Sequence, residues 1–186
     1  MKVFIKHYRR LLPYKKGEYI SYLEHGSGPD EQWYGISIQS GGHNNKSDFL
    51  IQFCVAVFEK LIRCYDNGAS WIISHDDKDM PWFYNNAKKD TLVDLWKLFR
   101  EYNTPPDFRG GIRLSTDIIL KNLLDDLVAY PFILSYKNLD VSNSKVPFII
   151  KISDHLCIDV LATDIKIIKE IQGMKFSYSC QTILYR

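Results

Sequence analysis

Between Ser47 and Asp66 the apolar positions fall on nearly every face of a helical wheel. Phe49, Leu50, Phe53, Cys54, Val57, Phe58, Leu61 and Ile62 leave only a narrow polar strip. A helix patterned this way sits inside a core rather than on its surface. Ser47 stands where a hydroxyl can accept from the first free amides, and Asn67-Gly68 ends the run. A second helix is predicted over Thr91–Tyr102, capped by Asp90, with Leu92, Leu95, Trp96 and Phe99 on one stripe and Pro105-Pro106 beyond its end. A third is predicted over Thr116–Ala129, capped by Ser115 and stopped by Pro131. A short fourth follows over Asp164–Ile171, capped by Thr163, with Gly173 after it.

Elsewhere the pattern alternates with period two, as strands do. Lys2–Tyr8 reads as a strand. Tyr19–Glu24 and Trp33–Gln39 read as a pair joined by the loop HGSGPDE. Trp71–Ser74 reads as a short buried strand. Phe108–Leu114 holds Gly110-Gly111 and leads into a short strand. Phe132–Tyr136, Phe148–Ile152, Leu156–Leu161 and Lys175–Tyr185 complete the set, the first two separated by an Asn/Asp/Ser loop. Strands gather at both ends of the chain, with helices between. That order predicts an α+β fold, mostly antiparallel, with three main helices and one short one, in a single domain over residues 1–186.

Composition narrows the function classes. The net charge of +2 gives no electrostatic case for nucleic-acid binding. The basic run Lys2, Lys6, Arg9, Arg10, Lys15 and Lys16 reads as a solvated strand edge and turn. The four cysteines lie in apolar surroundings without a CxxC pair, as buried reduced thiols do, which points to a reducing compartment. MKVFIKHYRR lacks the apolar region of a secretory signal, and FLIQFCVAVF is too short to span a bilayer. A cytoplasmic protein without membrane contact is expected.

The most chemically crowded stretch is SHDDKDMPWFYNN, residues 74–86. His75, Asp76, Asp77 and Asp79 are potential metal ligands. The stretch has neither the glycine nor the closing glutamate of a calcium loop, and no paired His or Cys for zinc. No metal and no cofactor is expected. Ser153-Asp154-His155 looks like a triad in composition, yet Ser-Asp is ordinary turn chemistry. Cys157, two residues on, would share a strand face with His155. Gly110-Gly111 between Arg109 and Arg113 would suit an anion, although adjacent glycines more often serve loop geometry. Trp82, Phe83 and Tyr84 admit two readings. Aromatics among charges make interface hot spots, and aromatics after a buried strand also fold back as a lid.

The segments WIISHDDKDMPWF, YPFILSYKNLD and FIIKISDHLCIDV, set in an aromatic-rich chain of this size, resemble the immunity proteins of bacterial toxin–immunity systems, in particular those of contact-dependent growth inhibition. The resemblance is one of overall character. It implies a toxin inhibitor that acts by protein binding, covering a cognate toxin domain, often a nuclease, whose basic surface carboxylates would match. The residues then expected to touch the partner are Asp76, Asp77, Asp79, Trp82, Tyr84, Asp125 and Asp126. The alternatives are a small hydrolase or transferase using His155 or His75 with nearby carboxylates, and a non-catalytic scaffold subunit pairing through an edge strand.

Overall fold

The computed structural model describes residues 2–15, 33–42, 46–75, 80–83, 90–134 and 138–185. Among them, eight strands form one sheet: β1 (Phe4–Ile5), β2 (Tyr34–Ser40), β3 (Trp71–His75), β4 (Gly111–Leu114), β5 (Asn138–Asn143), β6 (Phe148–Ser153), β7 (Ile158–Ala162) and β8 (Cys180–Tyr185). Their order across the sheet is β1-β4-β3-β5-β6-β7-β2-β8, and every neighbouring pair is antiparallel. Four helices accompany the sheet. They are α1 (Ser47–Cys64), α2 (Val93–Glu101), the composite α3, and α4 (Ile165–Gln172). α3 joins a short turn, Thr116–Ile118, to a π-helical turn, Ile119–Leu123, and a run Leu124–Leu134. The class is α+β, as the order of apolar periods predicts.

The period of two sorts the strand residues between faces. Trp71 and Ile73, Leu139 and Val141, Ile150 and Ile152, Ile158 and Val160, and Ile36 and Ile38 enter the main core with Phe53, Val57, Phe58 and Leu61 of α1. The opposite face carries a polar row. The strand register aligns Ser74, Asp140, Lys151, Asp159 and Ser37 side by side across five strands. All five are buried. Tyr14 and Trp33 pack over this face against Ile149 and Leu161, their rings 5.2 Å apart. Tyr14 Oη and Ser142 Oγ share a hydrogen bond of 2.6 Å, and the Tyr185 hydroxyl donates to Asp159 at 3.0 Å. Lys151 Nζ lies 3.2 Å from Asp140 Oδ1, with both side chains almost wholly buried. Burial without partners would make such charges untenable, so the row is a paired network.

Several expectations are corrected. Ser47 is the first residue of α1 rather than its cap, which is Lys46 and makes no side-chain cap bond, and the last strand begins at Cys180 rather than Lys175. The first strand is confined to Phe4–Ile5, and Tyr8–Leu11 turn as a 3-10 helix instead. Pro131 does not stop the third helix, which continues to Leu134. Proline removes one helical hydrogen bond, but Tyr130, Pro131 and Leu134 are all buried and the Tyr130 hydroxyl donates to the Trp82 carbonyl at 2.7 Å. Tertiary packing holds the last turn against the local signal. Phe132–Leu134 are therefore helical, and the strand expected there is NLDVSN, residues 138–143. Its polar residues read as a loop because their partners lie on other strands. Finally, Asp90 precedes the start of α2 at Val93, and the amide of Leu95 is met from another element, by Asp126. The strand expected at Tyr19–Glu24 lies outside the described residues.

Candidate functional site

β3 delivers the crowded stretch to one end of the sheet. Asp76, Asp77, Asp79 and Tyr84 lie outside the described residues. Trp82, expected on a contact surface, is fully buried, and Phe83 is buried beside it. Trp82 Nε1 donates to the Gly110 carbonyl at 2.7 Å, and its own amide donates to Phe108 O at 3.1 Å. Its ring lies 4.9 Å from Tyr130 and 5.3 Å from His75, while Phe83 meets Phe99 edge-on at 5.1 Å. For these two aromatics the lid reading holds. An indole buried with its N–H satisfied is a core anchor. His75 stacks on Tyr130 at 25° in the same cluster.

The structure brings Asp125 and Asp126 together with a third carboxylate. Asp125 and Asp126 open the Leu124–Leu134 run, and Asp94 stands in the first turn of α2. Asp126 is half-buried and accepts from Leu95 N at 2.7 Å. Burial holds its carboxyl above the usual carboxylate range, and the charges of Asp94 and Asp125 push the same way; hydrogen bonds from the Leu95 and Asp94 amides oppose them. Asp94 and Asp125 are exposed.

A second feature is a basic cleft of about 740 Å³, lined by Lys6, Arg9, Arg10 and Arg109 together with Asp107, His75 and Ser74. The pairing of Ile5 with Gly111 brings the two basic segments together. Close approach demands glycine at both positions. A Cβ on Gly110 would come within 2.3 Å of Ile5 O, and one on Gly111 within 2.6 Å of Tyr8 Cγ. Arg113, the other arginine flanking the glycines, turns away and donates from Nε to Ser70 Oγ at 2.8 Å. The basic run near the start of the sequence was the signal for this cleft. It reads as a solvated edge because Arg109 is so distant in sequence.

Ser153-Asp154-His155 forms the turn between β6 and β7. The Ser153 hydroxyl accepts from His155 N at 3.1 Å, and Leu156 adopts a φ of 57°. His155 Nε2 lies 3.7 Å from Asp154 Oδ1, but its side chain is 87% exposed and stands outside the cleft. Cys157 is half-buried, and burial pushes its thiol up to about 11, so at neutral pH it is protonated. Cys54 is buried and pushed up to about 12 by the same cause. Cys64, expected to be buried, is exposed at the end of α1. Among the described residues no three His, Cys, Asp or Glu side chains are placed so that they could hold a metal ion, and no helix is long and apolar enough to cross a membrane. No protein-family model, no curated protein and no solved structure gives a match to this chain.

Proposed function

We propose that this chain is a binding protein that neutralises a cognate bacterial toxin domain by covering it. The observation that carries the reading is the carboxylate group Asp94, Asp125 and Asp126. Like charges are gathered at one place, and Asp126 is held partly out of water against their repulsion. A cationic partner surface would relieve that repulsion and steer association, as opposed charge does at tight inhibitor complexes. Asp126 is tied to Leu95 and positions the group, which leaves Asp94 and Asp125 as the contact residues. Asp76, Asp77, Asp79 and Tyr84, which lie outside the described residues, stay contact candidates on the sequence reading alone. The partner is a toxin domain with a basic face, a nuclease being the class whose surface suits this chemistry.

The test has two stages. The tagged chain is used to capture its partner from its own host. The captured toxin domain is then expressed in a sensitive strain with or without the chain. Growth rescued by the wild-type chain and lost with Asp94→Lys/Asp125→Lys supports the proposal. Absence of a stoichiometric toxic partner, or rescue unaffected by the reversal, overturns it.

A further inference from the structure

We infer that the basic cleft between the Tyr8–Leu11 turn and β4 binds a polyphosphate carried by a small molecule of nucleotide size. Among the described residues, four basic side chains, Lys6, Arg9, Arg10 and Arg109, and one carboxylate, Asp107, line the cleft. The excess is larger than a single carboxylate ligand would neutralise, and it suits the several negative charges of a di- or triphosphate. Three of the four cations are arginines, whose planar forks match phosphate oxygens in pairs. The volume, about 740 Å³, falls in the range that encloses small ligands.

The backbone beneath the cations is well braced. β1 pairs with β4, and Arg113 N donates to Val3 O at 2.7 Å. The buried Tyr8 ring lies on the bare backbone of Gly111, which anchors the turn that carries Arg9 and Arg10. Trp82 Nε1 fixes the Gly110 carbonyl next to Arg109. Phe108, half-buried and packed edge-on to Phe4 at 5.3 Å, supplies an apolar wall. Two segments a hundred residues apart in the chain are thus held as one cationic wall. The cleft and the carboxylate group share no residue. The inference therefore does not depend on the toxin-neutralising reading.

The measurement is calorimetric titration of the full chain, without any partner protein, using inorganic triphosphate, ATP and a single-stranded oligonucleotide at two salt concentrations. Triphosphate and ATP are expected to bind with one-to-one stoichiometry and to weaken as salt rises. Arg9→Gln/Arg10→Gln and Arg109→Gln should each weaken both by about tenfold or more, the loss of at least one charge-assisted contact. Lys166→Gln/Lys169→Gln on α4 should change nothing. These arginines and lysines are exposed, so far-UV circular dichroism should be unaltered in every variant. No binding of triphosphate and ATP overturns the inference. So does binding that survives both arginine variants, or binding of the oligonucleotide alone, which would mark a nucleic-acid surface instead.

Discussion

Lys151 is the residue whose removal should be most damaging to the sheet. Its ammonium lies 3.2 Å from Asp140 Oδ1, and the register places Asp159 directly on its other side. At an effective dielectric constant of about 20, the attraction at that distance is about 5 kcal/mol. Desolvation of the two ions offsets much of it, so the pair contributes little net stability. Breaking it is a different matter. Lys151→Met leaves the Asp140 carboxylate buried at 1% exposure, and such losses run to about 3–5 kcal/mol. With a urea m-value of about 2 kcal/mol/M, the midpoint should fall by roughly 2 M. Lys151→Met combined with Asp140→Leu removes both ions and should return to within about 1 kcal/mol of wild type. Asp159 keeps the Tyr185 hydroxyl in either variant. Equilibrium urea unfolding of the four proteins in the cycle measures the coupling directly. A cost under about 1 kcal/mol for Lys151→Met would refute the reasoning, as would a double variant that loses the sum of the two single losses.

Three further outcomes follow from the same structure. Asp126→Ala should cost about 1 kcal/mol by leaving Leu95 N without its acceptor, whereas Asp126→Asn, which accepts without charge, should be at least as stable as wild type at pH 7 in thermal melts. Because the folded-state pKa of Asp126 is raised, the folded protein binds the extra proton, so wild type should gain on the Asn variant as pH falls through the carboxylate range and lose ground as pH rises again; a gap constant with pH would contradict this. Thiol labelling at neutral pH should modify exposed Cys64 first and reach Cys54 only on unfolding, which mass spectrometry of timed digests resolves. Gly110→Ala should destabilise by at least about 2 kcal/mol, since its methyl group would meet the Ile5 carbonyl and force β1 from β4; an unchanged melting temperature would show that the contact yields.

What the sequence disclosed was local. α1 and α4 were legible because their apolar faces repeat at the helical period and Gly68 and Gly173 follow them. β3 was legible as an apolar run, but the cap of α4 is Asp164, which accepts from Lys166 N at 2.9 Å, and not Thr163 as expected. What stayed hidden depends on partners far along the chain. The strand Asn138–Asn143 looks like a loop until Lys151 neutralises Asp140 and Tyr14 meets Ser142. α3 runs through Pro131 because distant residues bury its last turn. For the candidate sites, Asp125 and Asp126 were visible as acids, but their grouping with Asp94 required the packing of α2 on α3. The basic cleft required β1 to pair with β4. Trp82 carried the composition of a contact residue, and composition alone cannot tell a hot spot from a core anchor.

The measurement that bears most directly on the proposed function is the affinity of the purified chain for its captured toxin domain, compared with that of Asp94→Lys/Asp125→Lys and, separately, of a variant reversed at Asp76, Asp77 and Asp79. One-to-one binding by the wild type, weakened by about tenfold or more in the Asp94/Asp125 reversal and weakened by added salt, is the expected result. Binding equally tight in both reversed proteins would contradict a carboxylate contact and with it the proposed mode of neutralisation.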